Sequence, residues 1–87
     1  LDRIGQYPRA FVFDFADVPL VDTTAAKAIE AFVRKLERAG AQVFIAGARV
    51  GVRRTLLSVG LREPGVLYTA TVSDARDRAN EIGPKPL

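Results

Sequence analysis

The sequence predicts a small α/β domain with a parallel sheet, because short apolar runs alternate with amphipathic segments and short loops join them. Three runs are typical of buried strands, and each precedes a segment with helical spacing. Helical crossovers between consecutive strands make those strands parallel. The predicted strands are 10–15, 41–46 and 66–70, and the predicted helices are 24–39, 50–59 and 74–82. We therefore expect one domain over 1–87, with a core over 9–82 and a tail over 83–87.

The first strand and the first helix carry the strongest signals. Residues 10–15 are apolar on both faces apart from one aspartate, as in a strand covered on both sides. The segment 24–39 has apolar residues at i, i+3, i+4 and i+7, and Glu30 precedes Arg34 by four residues, a stabilising spacing. Gly40 supplies the left-handed residue that ends this helix. Its predicted apolar stripe is Ala25, Ala28, Ile29, Phe32, Val33 and Leu36.

The other elements are shorter and are bounded by turn residues. Gly47 is expected to end the second strand, and Gly60 to end the second helix. Leu61 is then predicted to fold back under that helix end. Ser73 is predicted to cap the last helix. The segment Leu1–Gly5 reads as the tail of a helix that begins before the chain does.

The composition excludes several kinds of site. The chain has no cysteine and no histidine, which excludes disulfides, thiolate chemistry, the usual zinc sites and a histidine-based triad. We therefore expect no catalytic site, no metal and no required cofactor. No apolar run approaches the roughly 18 residues that a membrane span needs. The net charge of +3 favours an acidic partner or a membrane surface and does not demand nucleic acid.

An acid and two hydroxyls lie where the first loop meets the first helix. Asp22, Thr23 and Thr24 follow a predicted strand and precede a helix, and α/β folds usually place their working surface at that position. Capping of the helix N-terminus explains such a cluster most simply. A phosphate on Thr23 or Thr24 would instead add roughly two negative charges at once. With Lys27, these residues form the predicted interaction surface.

A second candidate surface is basic. Arg49, Arg53, Arg54 and Arg62 occur without an acid between them, on and around the second predicted helix. Arginine recognises phosphate and carboxylate through paired donors, so Gly47, Arg49, Arg53 and Arg54 are candidate contacts for an anion, a nucleotide or a lipid headgroup. A solvated helix face is the alternative interpretation, and charge patterning alone does not separate the two.

The central sequence resembles a STAS domain. Residues 11–25 show that family's apolar strand, short loop, and acid–hydroxyl–hydroxyl–small motif opening a helix, here Asp22-Thr23-Thr24-Ala25. The resemblance continues through 40–47 and 56–61 and covers roughly 9–82. It implies a fold that normally starts with a β-hairpin and a helix, which this sequence lacks. Leu1–Gly5 would then be the stub of that helix.

The resemblance implies two settings. One is the stand-alone antagonist of an anti-sigma factor, in which a partner kinase phosphorylates the position of Thr23. The other is the cytoplasmic C-terminal domain of a SulP-type sulfate or anion transporter, a regulatory domain at the inner face of the membrane. Antagonists typically have serine and glycine where this chain has Thr23 and Ala25. We therefore expect the transporter setting, with the membrane domain as partner; a homodimer through an uncovered sheet edge is a further possibility.

Overall fold

The computed structural model describes residues 10–82, in which strands and helices alternate along the chain. All three strands are parallel and lie in the order β1-β2-β3, so neighbours in the sheet are neighbours in the sequence. The elements are β1 (Ala10–Asp14), α1 (Thr23–Arg38), β2 (Gln42–Ala46), α2 (Val50–Ser58), β3 (Val66–Thr69) and α3 (Val72–Ile82). The predicted α/β class and parallel sheet are confirmed. The predictions for 1–5 and 83–87 lie outside the described residues.

The sheet is covered by helices on both faces. On one face, α1 and α2 pack against Val43, Ile45 and Val66, and on the other, α3 packs through Ala75 against Phe44. The central strand β2 contributes to the core on both faces of the sheet, since its residues 43–46 are fully buried. Burial of alternate side chains on opposite faces explains why this strand is apolar from Val43 to Ala46.

The buried line of α1 differs from the predicted stripe. Ala25 and Ala28 are exposed, whereas Ala26 is fully buried. Ala26 belongs to the core with Val33, and Ile29 and Leu36 pack against it, so the inward face is rotated by about one residue at the start of the helix. Phe32 is 43% exposed because it lies at the sheet's outer edge. The stripe was therefore wrong at Ala25 and Ala28 and only partly right at Phe32.

The predicted helix ends are mostly confirmed. Gly40 has φ +89° and Gly60 has φ +97°, the left-handed conformation that glycine adopts most easily. Leu61 is 1% exposed and its N–H donates to the Leu56 carbonyl at 3.1 Å, so it does fold back under α2. The predicted cap of α3 was wrong. The Thr71 hydroxyl, not Ser73, accepts from the Asp74 N–H at 2.9 Å, because α3 begins two residues earlier than expected.

Candidate functional site at the carboxyl end of the sheet

The three loops that follow the strands lie at one end of the molecule. Because all strands are parallel, residues 15–22, 47–49 and 70–71 leave the same edge of the sheet. The first two loops touch: a Cβ added at Gly47 would lie 3.2 Å from the Cα of Ala16. Gly47 also has φ +72°, so this close approach requires glycine. The contact brings the acid–hydroxyl loop and the basic segment into one surface.

Asp22 caps α1, as the simplest interpretation predicted. Its side chain accepts from the Ala25 N–H at 2.8 Å, and its carbonyl accepts from the Ala26 N–H at 2.9 Å. Thr23 and Thr24 occupy the first turn and are exposed, and neither hydroxyl makes a hydrogen bond within residues 10–82. Lys27, one turn further on, is also exposed. The cap thus uses the acid and leaves both hydroxyls at the surface.

The structure divides the basic residues into two groups. Arg53 lines a cavity together with Gly47, and its guanidinium carbon lies 4.7 Å from the centre of the Tyr68 ring. Arg49, Arg53 and Arg54 are all exposed, but Arg49 and Arg54 do not line this cavity. Arg49 occupies the N-cap position of α2 without a side-chain cap hydrogen bond. The candidate anion contacts therefore do not form one site.

Tyr68 is the site residue that the sequence does not reveal. Its hydroxyl donates to the Leu61 carbonyl at 2.6 Å, and its backbone N–H donates to a Glu63 carboxylate oxygen at 3.2 Å. Burial raises the pKa of Tyr68, the positive charge of Arg53 partly offsets this, and Glu63 raises it further. The only sequence signal is an aromatic residue near the end of a strand, which by itself also fits an ordinary core position.

Exposed apolar side chains occur at the same end. Leu20, in the loop before α1, is 74% exposed, and Val50, the first residue of α2, is 73% exposed. Apolar side chains beside polar and charged groups are typical of protein contact surfaces. Within 10–82, no cluster of three acidic side chains is placed to hold a metal. In the same range, no helix is long and apolar enough to cross a bilayer.

The architecture and this surface define a small parallel α/β domain whose hydroxyl, basic and exposed apolar groups gather at the carboxyl end of the sheet. Residues 1–78 match the family model described as the STAS domain. The chain therefore belongs to the STAS family, as the sequence resemblance predicted. Domains of this family are generally non-catalytic and mediate protein–protein interactions. No curated protein matches the chain.

Proposed function

We propose that this chain is a non-catalytic regulatory STAS domain that belongs to a SulP-type sulfate or anion transporter and lies at the cytoplasmic face of the inner membrane. The observation that carries an interaction role is the exposed loop before α1. There Leu20 is 74% exposed, and the Thr23 and Thr24 hydroxyls have no hydrogen-bond partner within 10–82. We expect the membrane domain of the transporter to contact this end of the sheet.

The local sequence supports the transporter setting over the antagonist setting. In the motif that the family shares, Thr23 and Ala25 stand where antagonists typically have serine and glycine. Alanine favours the first turn of a helix over glycine by up to about 1 kcal/mol. The N–H of Ala25 is bonded to the Asp22 cap. A more firmly formed first turn favours a constant contact surface over one that is remodelled by modification.

The length of the native open reading frame tests the setting. A transporter domain requires many apolar spans encoded upstream, about ten or more in this family, each of roughly 20 residues. A reading frame of little over a hundred residues, with no such spans, would contradict the transporter proposal. It would leave the stand-alone antagonist as the better explanation.

Substitution at Thr23 tests the alternative function, a phosphorylation switch. We expect Thr23→Glu to leave the melting temperature nearly unchanged, since Asp22 and not Thr23 provides the cap. In an antagonist, this substitution would also abolish binding to the anti-sigma kinase, and the kinase would add one phosphate to the wild-type protein and none to Thr23→Ala. Thr24→Glu is the matched control, because it adds the same charge one residue away. Phosphate transfer to Thr23, seen by mass spectrometry, would favour the antagonist.

A further inference from the structure

Positive charge is concentrated in one segment of the chain. Residues 47–62 contain four of the thirteen basic residues and none of the ten acidic ones, so the rest of the chain carries one more acidic than basic residue. No carboxylate among residues 10–82 forms an ion pair with these four arginines, although Arg34 on α1 forms two. A basic segment without internal counter-charges attracts anions from solution.

A cavity opens beside this segment, between the ends of β2 and β3. Its volume of about 400 Å³ is in the range of small-molecule sites. Parallel α/β sheets bind ligands outside the carboxyl ends of their strands, which is where this cavity lies. Among residues 10–82, Arg53 is the only charged residue that lines it. The lining residues are Gly47, Ala48, Arg53, Tyr68, Thr69 and Ala70.

The exposed Arg53 side chain contacts the ring of Tyr68. Its guanidinium lies 4.7 Å from the centre of the Tyr68 ring, a cation–π distance. Tyr68 is itself fixed by its 2.6 Å hydrogen bond to the Leu61 carbonyl. The guanidinium of arginine carries its N–H donors in a planar fork, and a pair of these donors matches two oxygens of a phosphate, sulfate or carboxylate.

On the other side of the carboxyl end of β3, the charged lining residues are mainly acidic. A second cavity of about 330 Å³ shares Tyr68, Thr69 and Ala70 with the first, but Asp74 and Asp77 line it together with Arg78. Two carboxylates against one cation disfavour an anion there. The neighbouring cavities therefore differ in charge across a single strand end, and the Arg53 side is the one suited to an anion.

We propose that the Arg53 cavity binds a small molecule through an oxyanion group of the phosphate or sulfate type. Arg53 provides the paired donors, and the small side chains of Gly47, Ala48 and Ala70 leave room for the remainder of the ligand. The proposal does not depend on the proposed transporter setting.

Amide NMR titration of the full chain with inorganic phosphate and with sulfate tests the site, with sodium chloride at matched ionic strength as the control. We expect saturable shifts at Gly47, Ala48, Thr69 and Ala70, and none of comparable size with chloride. Arg53→Gln should weaken binding by about tenfold or more. Arg54→Gln removes the same charge from the same helix outside the cavity, so it should change affinity by less than about twofold.

Two further measurements make the outcome unambiguous. Tyr68→Leu removes the stacking surface and should weaken phosphate binding even though Arg53 remains. Vesicles containing phosphatidylglycerol probe the lipid alternative. Equal loss of phosphate binding in Arg53→Gln and Arg54→Gln would overturn the proposal, as would shifts spread over all four arginines. Binding to vesicles without binding to phosphate or sulfate would overturn it in favour of a membrane contact.

Discussion

The two outer edges of the sheet end in different ways. On β3, both N–H groups that point away from β2 are bonded by the preceding turn. The Val66 N–H donates to the Arg62 carbonyl at 3.1 Å, and the Tyr68 N–H donates to a Glu63 carboxylate oxygen at 3.2 Å. The donors that another strand would use are therefore occupied, which is a recognised way to end a sheet.

The β1 edge carries no such protection within residues 10–82. The Phe15 N–H donates to the Ala46 carbonyl of β2, so by alternation the Phe13 N–H points toward β2 and the Val12 N–H points outward. No residue in this range bonds the outward Val12 group. Phe32 of α1 lies beside this edge, with its ring centre 5.9 Å from that of Phe13.

The contrast indicates which edge can take part in assembly. A strand edge with open donors and exposed aromatic area accepts another strand, whereas an edge bonded by its own turn does not. The hairpin implied by the family resemblance would have to pair at β1 if it joins this sheet. The same edge is where a second copy of the chain would pair, and both remain predictions.

Amide hydrogen exchange should show the largest effect, a difference in exchange rate between two neighbouring amides of β1. We expect the Val12 amide to exchange about a hundredfold or more faster than the Phe13 amide, because only Phe13 donates into the sheet. Amide exchange followed by NMR on the full chain measures both. Equal protection of the two amides would contradict the open edge, because something would then pair with β1.

Removal of an aromatic ring at the β1 edge should have the next largest effect. Phe13 is partly buried and contacts the rings of Phe11, Phe15 and Phe32, at centre distances of 5.0, 6.1 and 5.9 Å. We expect Phe13→Ala to lower the free energy of unfolding by about 2–3 kcal/mol, less than for a fully buried ring. Phe32→Ala, at 43% exposure, should cost about 1 kcal/mol. Denaturant unfolding compares them, and equal losses would mean that Phe13 is not the centre of the cluster.

At the β3 edge, Tyr68→Phe should lower stability by about 1 kcal/mol, since it removes the hydrogen bond to Leu61. Burial raises the pKa of Tyr68 in the folded chain, so the unfolded chain loses this proton first as the pH rises. The Tyr68 contribution is therefore complete below about pH 10 and is lost as the pH rises through the folded pKa. Unfolding curves between pH 8 and pH 11 should converge for the two proteins; a constant difference would contradict this.

The smallest effect concerns the bond that covers the β3 edge. Glu63→Ala should cost about 0.5–1 kcal/mol, because the Glu63–Tyr68 bond is exposed to solvent. Glu63→Gln keeps an acceptor oxygen and should cost less. The informative readout is amide exchange: Tyr68 should exchange faster in Glu63→Ala, while Val66, bonded to the Arg62 carbonyl, serves as the internal control. Equal acceleration at both amides would mean that the whole turn has loosened.

Local pattern was sufficient to predict the elements but not how their side chains meet. Glycine conformation and apolar spacing placed Gly40, Gly60 and Leu61 correctly, because these are properties of a short stretch of chain. The cap of α3 at Thr71 was missed because Thr71 and Ser73 lie two positions apart and both carry a hydroxyl that can cap a helix. The Arg53–Tyr68 contact joins residues fifteen positions apart in different elements, and no periodicity within either element encodes it. The basic residues were found, but their division between cavity and surface required the fold.

The strand order has a consequence for how the chain assembles. Neighbouring strands are consecutive in sequence, and Val43 meets Val66 across a shorter span of chain than Ala10 meets Gln42. The free-energy cost of closing the chain is therefore smaller for the β2–α2–β3 unit than for the β1–α1–β2 unit, by about 0.3 kcal/mol. The β2–α2–β3 unit is therefore the easier one to form first, with its outer edge already covered by Glu63.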